Sequence, residues 1–94
     1  MLKIIGREIW RGGEKVGFIE ENHVRAHDGK KLGYFEENHV RDTAGNKIAY
    51  ISGDHLYTES LGNVKISLDK VNEMVMGGLL PEIGKCAVYI LIGA

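Results

Sequence analysis

A run of sixteen residues, GFIEENHVRAHDGKKL at 17–32, is followed without a gap by GYFEENHVRDTAGNKI at 33–48, and nine of the sixteen positions are identical. So short a unit cannot bury a face by itself, so each copy must be completed by its neighbours. A third copy, AYISGDHLYTESLGNV at 49–64, keeps the aromatic, the following Ile, the His and the branched aliphatic, with its turn glycine displaced one place to Gly62. A degraded copy opens the chain. Its Ile4, Glu8, Ile9, Gly13, Lys15 and Val16 match the next copy when one residue is missing around Trp10 to Gly12. The repeats therefore fall at about 2–16, 17–32, 33–48 and 49–66, with an extension over 67–94.

Each copy holds two turn signals separated by short apolar stretches, which leaves room for two strands and none for a helix. Lys15–Ile19, Lys31–Phe35 and Lys47–Ile51 are rich in aromatic and β-branched residues and read as strands. The tight turns that follow carry Asn22, Asn38 or Asp54, the predicted left-handed residues, because Asn and Asp tolerate positive φ. The second turns carry Gly29, Gly45 and Gly62. Strict alternation sets Val16, Leu32 and Ile48 on one side with Phe18, Tyr34 and Tyr50, and sets Gly17, Gly33 and Ala49 on the other with Ile19, Phe35 and Ile51. A small residue recurring every sixteen implies close approach of backbone, as near the axis of a closed ring of hairpins.

The motifs Gly13-Glu-Lys-Val-Gly-Phe18, Gly29-Lys-Lys-Leu-Gly-Tyr34 and Gly45-Asn-Lys-Ile-Ala-Tyr50 resemble those of the bacterial four-fold β-flower domains, while Gly62-Asn-Val-Lys-Ile66 departs by one inserted residue. The resemblance spans roughly residues 4–66. It implies tandem hairpins around a pseudo-four-fold axis, and it brings no assigned activity and no catalytic residues. The expected fold is mainly β: a single domain over 1–94, with hairpin repeats in a pseudo-four-fold ring, one short C-terminal helix and a terminal strand.

In the extension Leu68, Val71, Met74 and Val75 fall at helical spacing, with Ser67 as N-cap, Asp69 in the first turn and Gly77-Gly78 as a stop. Met74 and Met76 fit helix packing, and Pro81 ends any continuation. The run Cys86–Ile92 reads as a buried strand, with a helix as the alternative for so short an apolar stretch. It must be covered, either by closing against Leu2–Ile5 or by a second chain, so a homo-oligomer or a protein partner is expected through this apolar C-terminus.

Twelve basic and thirteen acidic residues leave a net charge of −1, which disfavours nucleic acid and anionic lipid as partners. One cysteine, Cys86, excludes an intrachain disulfide, and neither terminus has a leader-like or membrane-spanning apolar stretch; a soluble, cytoplasmic protein is expected. No phosphate loop, Cys-x-x-Cys pair or nucleophile motif is present, so no enzyme and no cofactor is expected. The one suggestive constellation is His23, His39 and His55, sixteen apart, with Glu8 at the matching place of the first copy. Three imidazoles and a carboxylate could hold zinc if all converged to ~2.1 Å from one point. The plainer reading, which is preferred, has each His serving its own hairpin. Glu20-Glu21 and Glu36-Glu37 are expected to face water, paired with Arg25 and Arg41. Trp10 is expected to cap the sheet or anchor a partner. The function expected is a non-enzymatic interaction or assembly module, with a metal- or small-ligand-binding protein as the alternative.

Overall fold

The computed structural model describes residues 1–59 and 64–93, so the expected turn at Gly62 lies outside the described residues. Ten strands form one sheet: β1 (Leu2–Ile5), β2 (Glu8–Arg11), β3 (Glu14–Glu20), β4 (His23–Ala26), β5 (Lys31–Glu36), β6 (His39–Asp42), β7 (Lys47–Ser52), β8 (His55–Thr58), β9 (Val64–Ser67) and β10 (Val75–Gly77). From β1 to β9 each strand pairs antiparallel with the next, and β10 adds in parallel to β1, Leu2 opposite Val75. The chain is thus a hairpin meander, mainly β. Its edges, β9 and β10, are joined by the short helix α1 (Leu68–Met74). Ser67 caps α1 as expected, its Oγ accepting from the Lys70 amide at 3.1 Å.

Among the described residues five tight turns have two loop residues each: Gly6-Arg7, Gly12-Gly13, Glu21-Asn22, Glu37-Asn38 and Gly53-Asp54. Asn22, Asn38 and Asp54 are not the left-handed residues expected of them. The residue before each one is, with φ of 56° at Glu21, 54° at Glu37 and 61° at Gly53. This is the φ pattern of a type II′ turn, which needs positive φ at the first loop position. In four of the five the second loop residue instead turns its carbonyl to the next copy. Arg7, Asn22, Asn38 and Asp54 accept from the amides of Ile19, Phe35, Ile51 and Leu68 at 2.8, 3.0, 2.9 and 2.8 Å. Asn22 also donates from Nδ2 to the Phe35 carbonyl at 2.9 Å. The turns at Gly29 and Gly45 have the expected left-handed glycines.

Glutamate in left-handed backbone costs ~1–2 kcal/mol, and glycine gives back part of that gain as unfolded-chain entropy. Glu37 joins none of the ion pairs among the described residues. Glu37→Gly is therefore expected to stabilise by up to ~1 kcal/mol, seen as a Tm rise of a few degrees. An unchanged or lower Tm would mean that the turn is not strained.

The strand faces also depart from strict alternation. The ladders skip one residue at Val16, Leu32 and Ile48, so β3, β5 and β7 are each bulged there. A bulge breaks the period of two. These three aliphatics turn inward and pack on the core, in place of joining Phe18, Tyr34 and Tyr50 outside. Lys15 and Lys47 come outward instead, their Nζ atoms 5.4 and 5.0 Å from the ring centroids of Phe18 and Tyr50.

On the inner side Ile9, Val24, Val40 and Leu56, one per hairpin, are fully buried. What fills the sheet is the C-terminal run. Cys86–Ile92 is helical and not a strand: α2 (Glu82–Val88) continues into a π-helical turn, Tyr89–Gly93. Pro81 starts this helix as its N-cap residue. α2 lies against β5 and β6. Cys86, Ala87 and Val88 are fully buried, and Arg11 of β2 donates to the Gly93 carbonyl. A helix satisfies its own backbone groups inside an apolar space where a lone strand would strand them.

Gly17 and Gly33 are crowded first by backbone, as expected, a Cβ on either falling closest to the Arg25 or Arg41 carbonyl oxygen, and then by this helix. A Cβ on Gly17 would come within 3.0 Å of Ile92 Cδ1, and one on Gly33 within 2.9 Å of Leu91 Cδ1. The crowding is thus against a plug as well as against the adjacent strands.

Burial, and then the charge of Glu82, push the Cys86 thiol up to about 12. Because the thiolate is the nucleophile, Cys86 should resist iodoacetamide at pH 8 while the chain is folded and react once urea unfolds it. Rapid labelling of the native protein would show that the helix does not stay docked.

Candidate functional site

The outer face carries the side chains singled out in the sequence. His23, His39 and His55 open β4, β6 and β8, and Glu8 opens β2, so the alignment of Glu8 with the histidines holds in the pairing: Glu8 opposite Phe18, His23 opposite Tyr34, His39 opposite Tyr50. The four positions nevertheless do not meet. Each is separated from the next by an intervening strand, or ~9–10 Å at ordinary strand spacing, whereas metal ligands must converge to ~2 Å from one point. Among the described residues no three His, Cys, Asp or Glu side chains are grouped to hold a metal ion.

Glu8, His23 and His55 each have a local partner instead. Glu8 pairs with Lys15 at 3.2 Å. The His23 and Tyr34 rings lie 5.5 Å apart, and those of His55 and Tyr57 6.4 Å apart. Tyr50 and Tyr57 stack at 5.3 Å. Glu20 reaches Arg25 at 2.9 Å and Glu36 reaches Arg41 at 3.7 Å, so the expected acid–base pairs form through the first acid of each couple. Both arginines also donate to the next turn, Arg25 to the Gly29 carbonyl and Arg41 to that of Gly45. These contacts hold neighbouring hairpins in register. Trp10 is half-buried, and its indole N–H has no hydrogen-bond partner among the described residues.

A second region was not singled out in the sequence. Among the described residues four of the five large exposed apolar side chains, Met1, Ile5, Met76 and Leu79, lie in or beside β1, β10 and the segment after β10; the fifth is Val64. Leu79 is completely exposed, at 102%. The segment 78–81 faces the turns at Gly6-Arg7 and Glu21 across a groove of about 540 Å³, with Phe35 on its floor and Arg7 and Glu21 on its rim. β10 is also a free sheet edge. Sequence reading placed Val75 and Met76 in the helix; Val75 is instead drawn into pairing with Leu2, and Met76 is left outside. The only advance signal was Leu79-Leu80 directly after Gly77-Gly78, an apolar pair where a loop is expected.

The C-terminal run, expected to be covered by Leu2–Ile5 or by a second chain, packs within its own sheet through Cys86–Val88, while Tyr89–Ile92 remain half-buried. Among the described residues no helix is long and apolar enough to cross a membrane. No protein-family model, curated protein or solved structure matches the chain.

Proposed function

We propose that this chain is a non-enzymatic interaction and assembly module of the β-flower kind, and that it engages its partner through the surface around β10 and the 78–81 segment. One observation carries the reading. Among the described residues four of the five large apolar side chains left in solvent lie there, beside a sheet edge, the exception being Val64 on β9. Concentrated exposed apolar surface on a small domain is costly in water, and it is the common mark of a contact surface. The four carbonyl-to-amide links between copies support the resemblance to the four-fold family, because they recur at equivalent places in every hairpin.

Oxidative footprinting tests this. Met76 is half exposed, whereas Met74 sits in α1 with less of its surface in water. In extract of the native cells Met76 should oxidise more slowly, relative to Met74, than in dilute purified protein. Equal ratios in the two samples would overturn the assignment of this surface.

A further inference from the structure

We infer that the partner is a second copy of this chain: two copies pair about a two-fold axis, each inserting its Leu79 into the other's groove against Phe35. This rests on the interaction reading above and names the occupant of its surface. Leu79 projects from the wall of an apolar groove of about 540 Å³, so knob and hole share one patch. Knob and hole on the same patch is what an isologous contact requires, because every feature must meet its complement on an identical surface.

The charges of the rim are self-complementary too. Arg7 and Glu21 are one cation and one anion, and neither belongs to an ion pair among the described residues, where Lys15 pairs with Glu8, Arg25 with Glu20 and Arg41 with Glu36. A two-fold axis through the groove sets Arg7 of one copy toward Glu21 of the other, twice over. A rim of single sign would repel its own copy, and a strongly charged partner of either sign would leave one of these two residues opposed.

Both sides of the groove are held in place before contact. The first turn is fixed by the 2.8 Å bond from the Ile19 amide to the Arg7 carbonyl. The 78–81 segment is pressed against β1, since a Cβ on Gly78 would fall 2.6 Å from Ile4 Cγ2, and it is anchored beyond by Pro81 at the start of α2. Leu79 is therefore presented from a constrained backbone, which lowers the ordering entropy lost on association.

Sedimentation equilibrium of the purified chain tests the inference. Between about 5 µM and 1 mM the mass should rise from 10.4 kDa toward twice that value. Leu79→Glu should remain at 10.4 kDa throughout with an unchanged Tm, because the side chain is fully exposed within one copy. Arg7→Glu and Glu21→Arg should each weaken association by about tenfold or more, and the double reversal should restore most of it. A parent chain that stays monomeric, a Leu79→Glu variant that associates like the parent, or a double reversal no better than the singles would each overturn the two-fold pairing. Should Met76 be protected in extract while the purified chain stays monomeric, this pairing fails and the interaction reading survives; if neither occurs, both fail.

Discussion

Gly33→Val is expected to be among the most damaging single substitutions in the chain. Its new side chain has no direction in which to yield. The Cβ alone would come within 2.9 Å of Leu91 Cδ1 and closer still to the Arg41 carbonyl, and valine adds two methyl groups beyond it. Overpacking of this kind costs ~1–3 kcal/mol, and more where the neighbour is backbone. In a domain whose whole stability is on the order of 5–15 kcal/mol this should appear as a large fall in the urea midpoint. Gly33→Ala combined with Leu91→Ala should recover only part of the loss, because the carbonyl contact remains. Gly13→Val is the matched control: nothing lies within 4 Å of a Cβ there, and its stability should hardly change. If Gly33→Val and Gly13→Val unfold alike, the helix does not press on the sheet at this point.

Removal of residues 86–94 should have the larger effect. It takes Cys86, Ala87 and Val88 out of the centre and opens the side of the sheet where Ile9, Val24, Val40 and Leu56 are fully buried. Burial of each such aliphatic side chain contributes roughly 1.5–3 kcal/mol, so the loss approaches the stability of the whole domain. The truncated chain should be aggregated or should lack a cooperative unfolding transition by circular dichroism. A soluble truncation with a sharp transition would show that the hairpins stand without their plug.

The hairpins were legible in the sequence because turn chemistry and apolar spacing repeat every sixteen residues, and repetition averages out local ambiguity. The single bulged residue in each copy was not. Val16, Leu32 and Ile48 are apolar whether they point in or out, so alternation alone assigned them to the wrong side. The left-handed glutamates were invisible for a different reason: nothing in Glu21 or Glu37 favours positive φ, and only the II′ geometry of the turn requires it.

The C-terminal run was ambiguous because Val88, Ile90 and Ile92 suit a strand in isolation. The arbiter is tertiary: β1 already pairs with β2 and β10, so no edge beside it was free, and a helix carries its hydrogen bonds with it. β10 escaped notice since a three-residue parallel pairing between the start and the end of the chain leaves no local pattern. At the candidate site, the register of Glu8 with the histidines was readable, whereas their separation depends on which strands intervene. The exposure of Leu79 is a property of the folded surface and has no counterpart in the order of residues.

The surface assigned to partner contact can be tested directly by incorporating a photo-crosslinking amino acid at position 79 in cells that make the protein natively, with position 31 as the control. Lys31 is also exposed, but it does not line the groove beside the 78–81 segment. The expected result is a discrete crosslinked product from position 79, with twice the mass of the chain, and none from position 31. A product from position 31 alone, or none from either position, would contradict the placement of the interaction surface.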